Sequence, residues 1–234
     1  MRALVSESIR RIAISTAATV DIRTHQGAHP RIGALDVVPF VALRRDDTHM
    51  ICDGPIDEAI EARDAFMAWA ADALELPCFA YGPERSLPEV RREAFRALNH
   101  DSGPTSAHPT AGACAVGARR VLVAYNLWLA SPELQVAQSI ARHLRGPAVR
   151  ALGLGVGERV QVSVNLIDPF TTGPEQVYDR VAHLAESSGN GVEHAELVGL
   201  APMRVVNRIP IHRRPEIGLD EDRTIEARLE NRLS

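Results

Sequence analysis

Two histidines, an arginine and an aspartate crowd into one short stretch of this chain. From His25 to Phe40 the residues read His-Gln-Gly-Ala-His-Pro-Arg-Ile-Gly-Ala-Leu-Asp-Val-Val-Pro-Phe. An imidazole titrating near neutrality moves protons, a guanidinium grips a carboxylate through parallel N–H donors, and a carboxylate can orient either partner. Pro30 biases His29 toward an extended backbone, while Gly27 and Gly33 permit tight turns on either side. Titratable groups on a stiff loop ahead of an apolar strand are how a fold presents chemistry, so the site is expected here. The local pattern alone is equally compatible with a structural loop. His25 and His29 stand four apart, the spacing of a helical zinc pair, but Gly27 and Pro30 oppose helix and no third ligand lies nearby. Metal binding is therefore not expected.

The stretch also resembles a known family. His29-Pro30-Arg31-x-Gly33-Ala34-x-Asp36-Val37-x-Pro39-Phe40 is similar to the signature loop of the formiminotransferases, the folate-dependent half of formiminotransferase-cyclodeaminase and its stand-alone bacterial relatives. Further matches follow in the same order. They are Gly103-Pro104-Thr105-Ser106-Ala107-His108-Pro109-Thr110-Ala111-Gly112, then Gly117-Ala118-Arg119 running into Leu122-Val123-Ala124-Tyr125-Asn126-Leu127. After these come Gln161 to Leu166, Glu196 to Pro202 and a closing Ile225-Glu226-Ala227-Arg228-Leu229.

The resemblance implies transfer of a formimino group from N-formiminoglutamate to the N5 nitrogen of tetrahydrofolate, with tetrahydrofolate as a substrate and no metal. It assigns the general base to His29, in a reaction whose difficulty is carrying a proton from the attacking nitrogen to the departing one. It assigns the Gly103–Gly112 segment to folate, because its small residues let a flat pterin approach the backbone. A flexible linker would read similarly. Arg31 and Arg119 are suited to carboxylates of formiminoglutamate or of the folate tail, and Asp36 to orienting an imidazole or a pterin nitrogen. Gln161 and Asn165 alternate with valines and either face a cleft or form an outward polar face. Ala28 stands where the mammalian enzymes carry glutamate, and the arginine-rich Met203 to Arg214 replaces the family's usual helix. The alternative reading is a catalytically inactive folate-binding or regulatory paralogue.

Composition bounds the rest. At 234 residues, 45% hydrophobic and 24% charged, the chain can bury roughly 70% of its unfolded surface in one or two domains. A net charge of −4 gives no broad attraction to nucleic acid or anionic membranes, and neither is an expected partner. All 26 basic residues are arginine, which excludes a Schiff-base lysine and a Walker-type phosphate loop. Cys52, Cys78 and Cys114 have no paired spacing, so a cytoplasmic setting is expected, with Cys114 a small buried residue. Arg10-Arg11 before Ile12–Val20 superficially resembles an export signal, but hydroxyl residues dilute the apolar run and the stretch reads as an amphipathic helix.

These residues need elements to position them. The second half predicts strand 120–129, a helix capped by Ser131-Pro132 with stripe Val136, Ile140 and Leu144, and strand 149–154. A glycine-spaced turn 153–157, strand 159–167, a helix opened by Pro174 and strand 192–200 follow. The order β-α-β-β-α-β is the split, ferredoxin-like pattern. The first half predicts helix 4–20, strand 34–43, helix 56–76, strand 77–81 and a helix capped by Ser86 and ending near Leu98.

The expected fold is α/β, an α+β sandwich of two ferredoxin-like βαββαβ-type subdomains, the first incomplete. The expected domains are a partial N-terminal subdomain at 1–102, a folate-binding loop and connector at 103–118 and a C-terminal subdomain at 119–234, with folate between the subdomains. Compared with the family, the first subdomain lacks its opening strand, helix and two strands. Either the reading frame starts upstream of Met1, or the exposed edge pairs with a second copy as a homodimer.

Overall fold

The computed structural model describes residues 2–26 and 30–230. The chain divides into two compact units. One contains the chain up to Ala42 together with Gly54–Arg119, and the other contains Leu43–Asp53 and the chain from Arg120 onward. Both mix helices and strands, as an α/β fold requires.

The first unit is built on a parallel sheet of β1 (Asp36–Phe40), β4 (Cys78–Tyr81) and β5 (Cys114–Ala118), in the order β1-β5-β4. Every residue of β5 is buried. The expected connector at 103–118 includes these five residues, but their unbroken run of small apolar side chains is what a parallel strand covered on both faces looks like. Helices α1 (Arg2–Thr19) and α2 (Ile56–Leu74) lie on one face, where Phe66, Met67 and Ala70 meet Val38, Cys78 and Val116. Helix α3 (Leu87–Glu93) covers the other through Val90 against Phe79, Tyr81 and Ala115.

Two expected elements are shorter than predicted. The strand expected over 34–43 ends at Phe40, where edge position tolerates Pro39, and Leu43–Arg45 starts a separate strand, β2. Ser86 does cap α3, its hydroxyl accepting from the Glu89 N–H at 3.3 Å. The helix nevertheless stops at Glu93, because Phe95 takes a left-handed φ of 60° as its ring meets Phe79 edge-on at 5.0 Å.

The second unit has the split topology. Strands β6 (Val123–Leu129), β7 (Val149–Val156), β8 (Arg159–Leu166) and β9 (Val192–Val198) form an antiparallel sheet in the order β7-β8-β6-β9. Helices α4 (Leu134–Leu144) and α5 (Pro174–Glu186) cover one face. Alternation places Val160, Val162, Val164 and Leu166 in that core with Tyr125, Leu127, Ile140 and Val181. The glycine run after Leu152 is strand rather than turn. β7 extends to Val156, and only Gly157 and Glu158 turn the chain, Gly157 with φ 60°. Ser131 does not cap α4, because the helix starts at Leu134 with Glu133 at the cap position, while the Asn190 amide accepts the Ser131 N–H and donates to its carbonyl.

The hairpin of β2 (Leu43–Arg45) and β3 (Ile51–Asp53) is held within this second unit by Glu226, which is 2% exposed. Its two carboxylate oxygens accept from the Ile51 N–H at 2.7 Å and the Met203 N–H at 2.9 Å. Asp53 adds a bond from the Val121 N–H at 2.6 Å. Glu226 sits in α8 (Ile225–Glu230), the last of three short helices after β9, with α6 at Met203–Val206 and α7 at Arg214–Ile217. Replacing Glu226 by alanine strands two amide donors, each worth about 1–3 kcal/mol when left unpaired. Glu226→Ala is therefore expected to lower unfolding free energy by about 2–5 kcal/mol, read as a fall in the urea midpoint with unchanged m-value.

Candidate functional site

Backbone contact joins the two motif loops of the first unit. The Ala34 N–H donates to the Ala111 carbonyl at 2.8 Å, and the Ala113 N–H to the Ile32 carbonyl at 3.0 Å. The Ile22 N–H adds a bond to the Thr110 carbonyl at 2.8 Å. At the centre Gly33 faces Gly112. A Cβ on Gly33 would fall 1.9 Å from the Ala113 oxygen, and one on Gly112 would fall 2.6 Å from the Ile32 oxygen. Gly112 also has φ 71°, so glycine suits it on both counts. The opening of the second loop is tied down as well, by the Cys78 N–H donating to the Ser102 carbonyl at 2.8 Å.

Each residue marked in the sequence can now be placed. His29 lies outside the described residues, with Gly27 and Ala28. Arg31 donates to the His25 carbonyl, closing the loop on itself. Asp36 has a left-handed φ of 50°, a conformation aspartate tolerates better than most residues. One of its oxygens accepts from the Ile32 N–H at 2.8 Å, and the other pairs with Arg91 at 2.5 Å. Gly103, Pro104, Thr105, Ser106, Ala107 and Pro109 are exposed, His108 and Thr110 half-buried, and Ala111 and Gly112 buried. The loop is thus anchored at its ends, with its middle open to a ligand.

His108 locks the turn before the glycine. Its Nδ1 accepts from the Ala111 N–H at 3.0 Å and the Thr110 N–H at 3.3 Å, while backbone bonds link His108 and Gly112 in both directions. An imidazole nitrogen that accepts carries no proton, so the neutral ring bears its hydrogen on Nε2. His108 is therefore a fixed donor.

Arg91 and Tyr81 belong to the same neighbourhood and carry no motif. Arg91 comes from α3 to reach Asp36, 55 positions away. Tyr81 ends β4 with its ring over Gly117, where a Cβ would lie 2.1 Å from the ring. Burial raises the Tyr81 phenol above its usual pKa, opposed by a hydrogen bond from Arg119, so it stays protonated at neutral pH. Only the glycine of Gly117-Ala118-Arg119 hinted that a large ring had to pass. Burial also pushes the Cys78 thiol up to about 12 and Cys114 well above the usual range, which leaves neither as a nucleophile. Among the described residues no group of three or more histidines, cysteines or carboxylates could hold a metal ion, and no helix is long and apolar enough to cross a membrane.

Comparison with known proteins bears on this arrangement. The model of the formiminotransferase domain's N-terminal subdomain matches residues 2–119. Formimidoyltransferase-cyclodeaminase from Rattus norvegicus is 33% identical over 226 residues, covering 83% of this chain and 40% of that protein. Glutamate formimidoyltransferase from Streptococcus pyogenes serotype M1 is 29% identical across 86% of this chain and 72% of its own length. Its namesake from Thermoplasma acidophilum is 27% identical across 92% and 76%. The chain thus spans about 40% of the length of the rat relative.

The loop geometry sets two expectations. Gly33→Ala forces a methyl into a carbonyl and should destabilise by about 3 kcal/mol, measured by urea unfolding. His108→Asn places an amide oxygen where Nδ1 lies and should keep the turn. His108→Gln carries its amide group out to the Nε2 position and should lose about 1 kcal/mol. Thermal unfolding and amide exchange at Thr110 and Ala111 distinguish the two variants, and equal exchange in both would remove the clamping role from Nδ1.

Proposed function

The chain belongs to the formiminotransferase family, and on that premise we propose that it transfers a formimino group from N-formiminoglutamate to N5 of tetrahydrofolate. The observation that carries the reading is the backbone pairing of the 30–36 loop with the 103–112 loop through Gly33 and Gly112. It sets the motif assigned to proton transfer beside the motif assigned to folate.

The chemistry asks little beyond positioning and one proton. The N5 lone pair attacks the formimino carbon, a C–N bond forms and the carbon becomes tetrahedral. His29 accepts the proton that N5 must shed and returns it to the glutamate nitrogen. The old C–N bond then breaks and glutamate leaves as a neutral amine. An imidazole fits this role because its two protonation states are both accessible near neutral pH. Asp36 and Arg91 are positioning residues, fixing the Ile32 backbone that follows the His29-Pro30-Arg31 motif in sequence. The Nε2–H of His108 is a donor for a pterin acceptor, and Arg31 and Arg119 serve carboxylates of either substrate. The three cysteines are free thiols, which suits a reducing cytoplasm.

Two measurements test the reading together. Folinate at about 100 times its Kd should stabilise the protein by about 2.7 kcal/mol, seen as a rise in Tm. His29→Ala should retain that rise while transfer falls by about 10²- to 10⁴-fold, because a proton shuttle acts in the transition state. Wild-type turnover in the variant would move the shuttle to another group, with His25 next in line. A wild-type protein that binds folinate without transferring the group is the non-catalytic paralogue.

A further inference from the structure

In the second unit, remote in sequence from the loops above, a surface groove of about 280 Å³ runs between α4 and β7. It is lined by Gln138, Arg142 and Arg145 along the helix and its C-cap, and by Leu152 and Gly153 on the strand. Gly153 brings strand and helix into backbone contact, since a Cβ there would lie 2.3 Å from the Gln138 nitrogen. That contact fixes the groove's floor.

Two guanidiniums line this one groove. Some arginines of this chain pair with carboxylates, as Arg63 does with Glu84, Arg91 with Asp36 and Arg213 with Asp179, and others such as Arg45 and Arg223 bond backbone carbonyls. Among the described residues Arg142 and Arg145 have no carboxylate partner, although they share one groove. Arg145 is also held in place, its Nε donating to the Ala151 carbonyl at 2.9 Å. This leaves its terminal nitrogens to face a ligand without first losing their orientational freedom. Proximity to the helix C-terminus accounts for one favourable cation there, but not for two lining the same concave surface with an amide beside them.

We propose that this groove is a binding site for a small oxyanion carrying two negative charges. Each guanidinium presents paired N–H donors to a carboxylate or phosphate oxygen edge, the Gln138 amide meets a third polar group, and Leu152 packs against whatever carbon skeleton joins them. The site is complete within the second unit and does not depend on the proposed transfer.

The test uses the intact protein and three titrations at matched ionic strength: inorganic phosphate, glutarate, and sodium chloride as the screening control. Backbone amide shifts of Gln138 and of Ala151 to Gly153 are followed by NMR. A saturable shift with phosphate, with glutarate or with both, reduced at least tenfold in affinity by Arg142→Gln, supports the site and identifies the oxyanion it favours. Arg142 lies exposed on α4 and makes no described hydrogen bond, so its variant should keep the wild-type spectrum elsewhere. Arg145→Gln is the second variant and should weaken binding in the same arm. Shifts that merely track ionic strength, as in chloride, or saturable binding that survives both substitutions, overturn the proposal.

Discussion

The backbones of Ile32–Ala34 and Ala111–Ala113 touch, and they can do so only because the facing residues, Gly33 and Gly112, have no side chains. A methyl on either would overlap a carbonyl oxygen of the opposite segment. Around this contact, short hydrogen bonds close a small ladder between two loops that lie far apart in sequence. The rest of the candidate site hangs on it. Asp36 and Arg91 brace one side, and His108 stiffens the other by accepting two amide protons on one ring nitrogen. Loops otherwise spend conformational entropy on ordering when a ligand arrives, and fixing their ends beforehand removes much of that loss.

Arginine supplies every strong side-chain cation in this protein. Arg63 is 4% exposed and joins α2 to the segment after β4 through two bonds to Glu84, at 2.7 and 2.8 Å, with Asp64 as a further partner. Glu84 is held below the usual carboxylate range, chiefly by that guanidinium. Arg159 lies over the Trp128 ring at 4.6 Å while pairing with Glu193, combining cation–π and ionic contact on one exposed strand end. A planar fork that is always charged suits such geometry better than an ammonium group does.

Legibility from sequence differed sharply between the two units. In the second, valines at every other position of 160–166 and an apolar stripe on each helix identified both the strands and the face they bury, because antiparallel strands with one covered face must alternate. In the first, Cys114–Ala118 shows no alternation, since both its faces are covered, and it went unrecognised as the central strand. Helix ends differ from the sequence pattern where tertiary contacts set the neighbouring backbone. Phe95 against Phe79 stops α3, and Asn190 takes the backbone groups of Ser131.

Residue types and spacing by themselves determined the α/β class, the split topology of the second unit, and which loops bear the family's motifs. These are local or periodic properties, set by which side chains can be buried together and where a backbone can turn. Only the tertiary structure decided that Gly33 and Gly112 meet, that Arg91 is the partner of Asp36 and that Tyr81 lies over Gly117. Each of these joins residues far apart in the sequence, brought together around the parallel strands β1, β5 and β4. Parallel pairing joins segments with long intervening chain, so no local pattern records which residues will face one another.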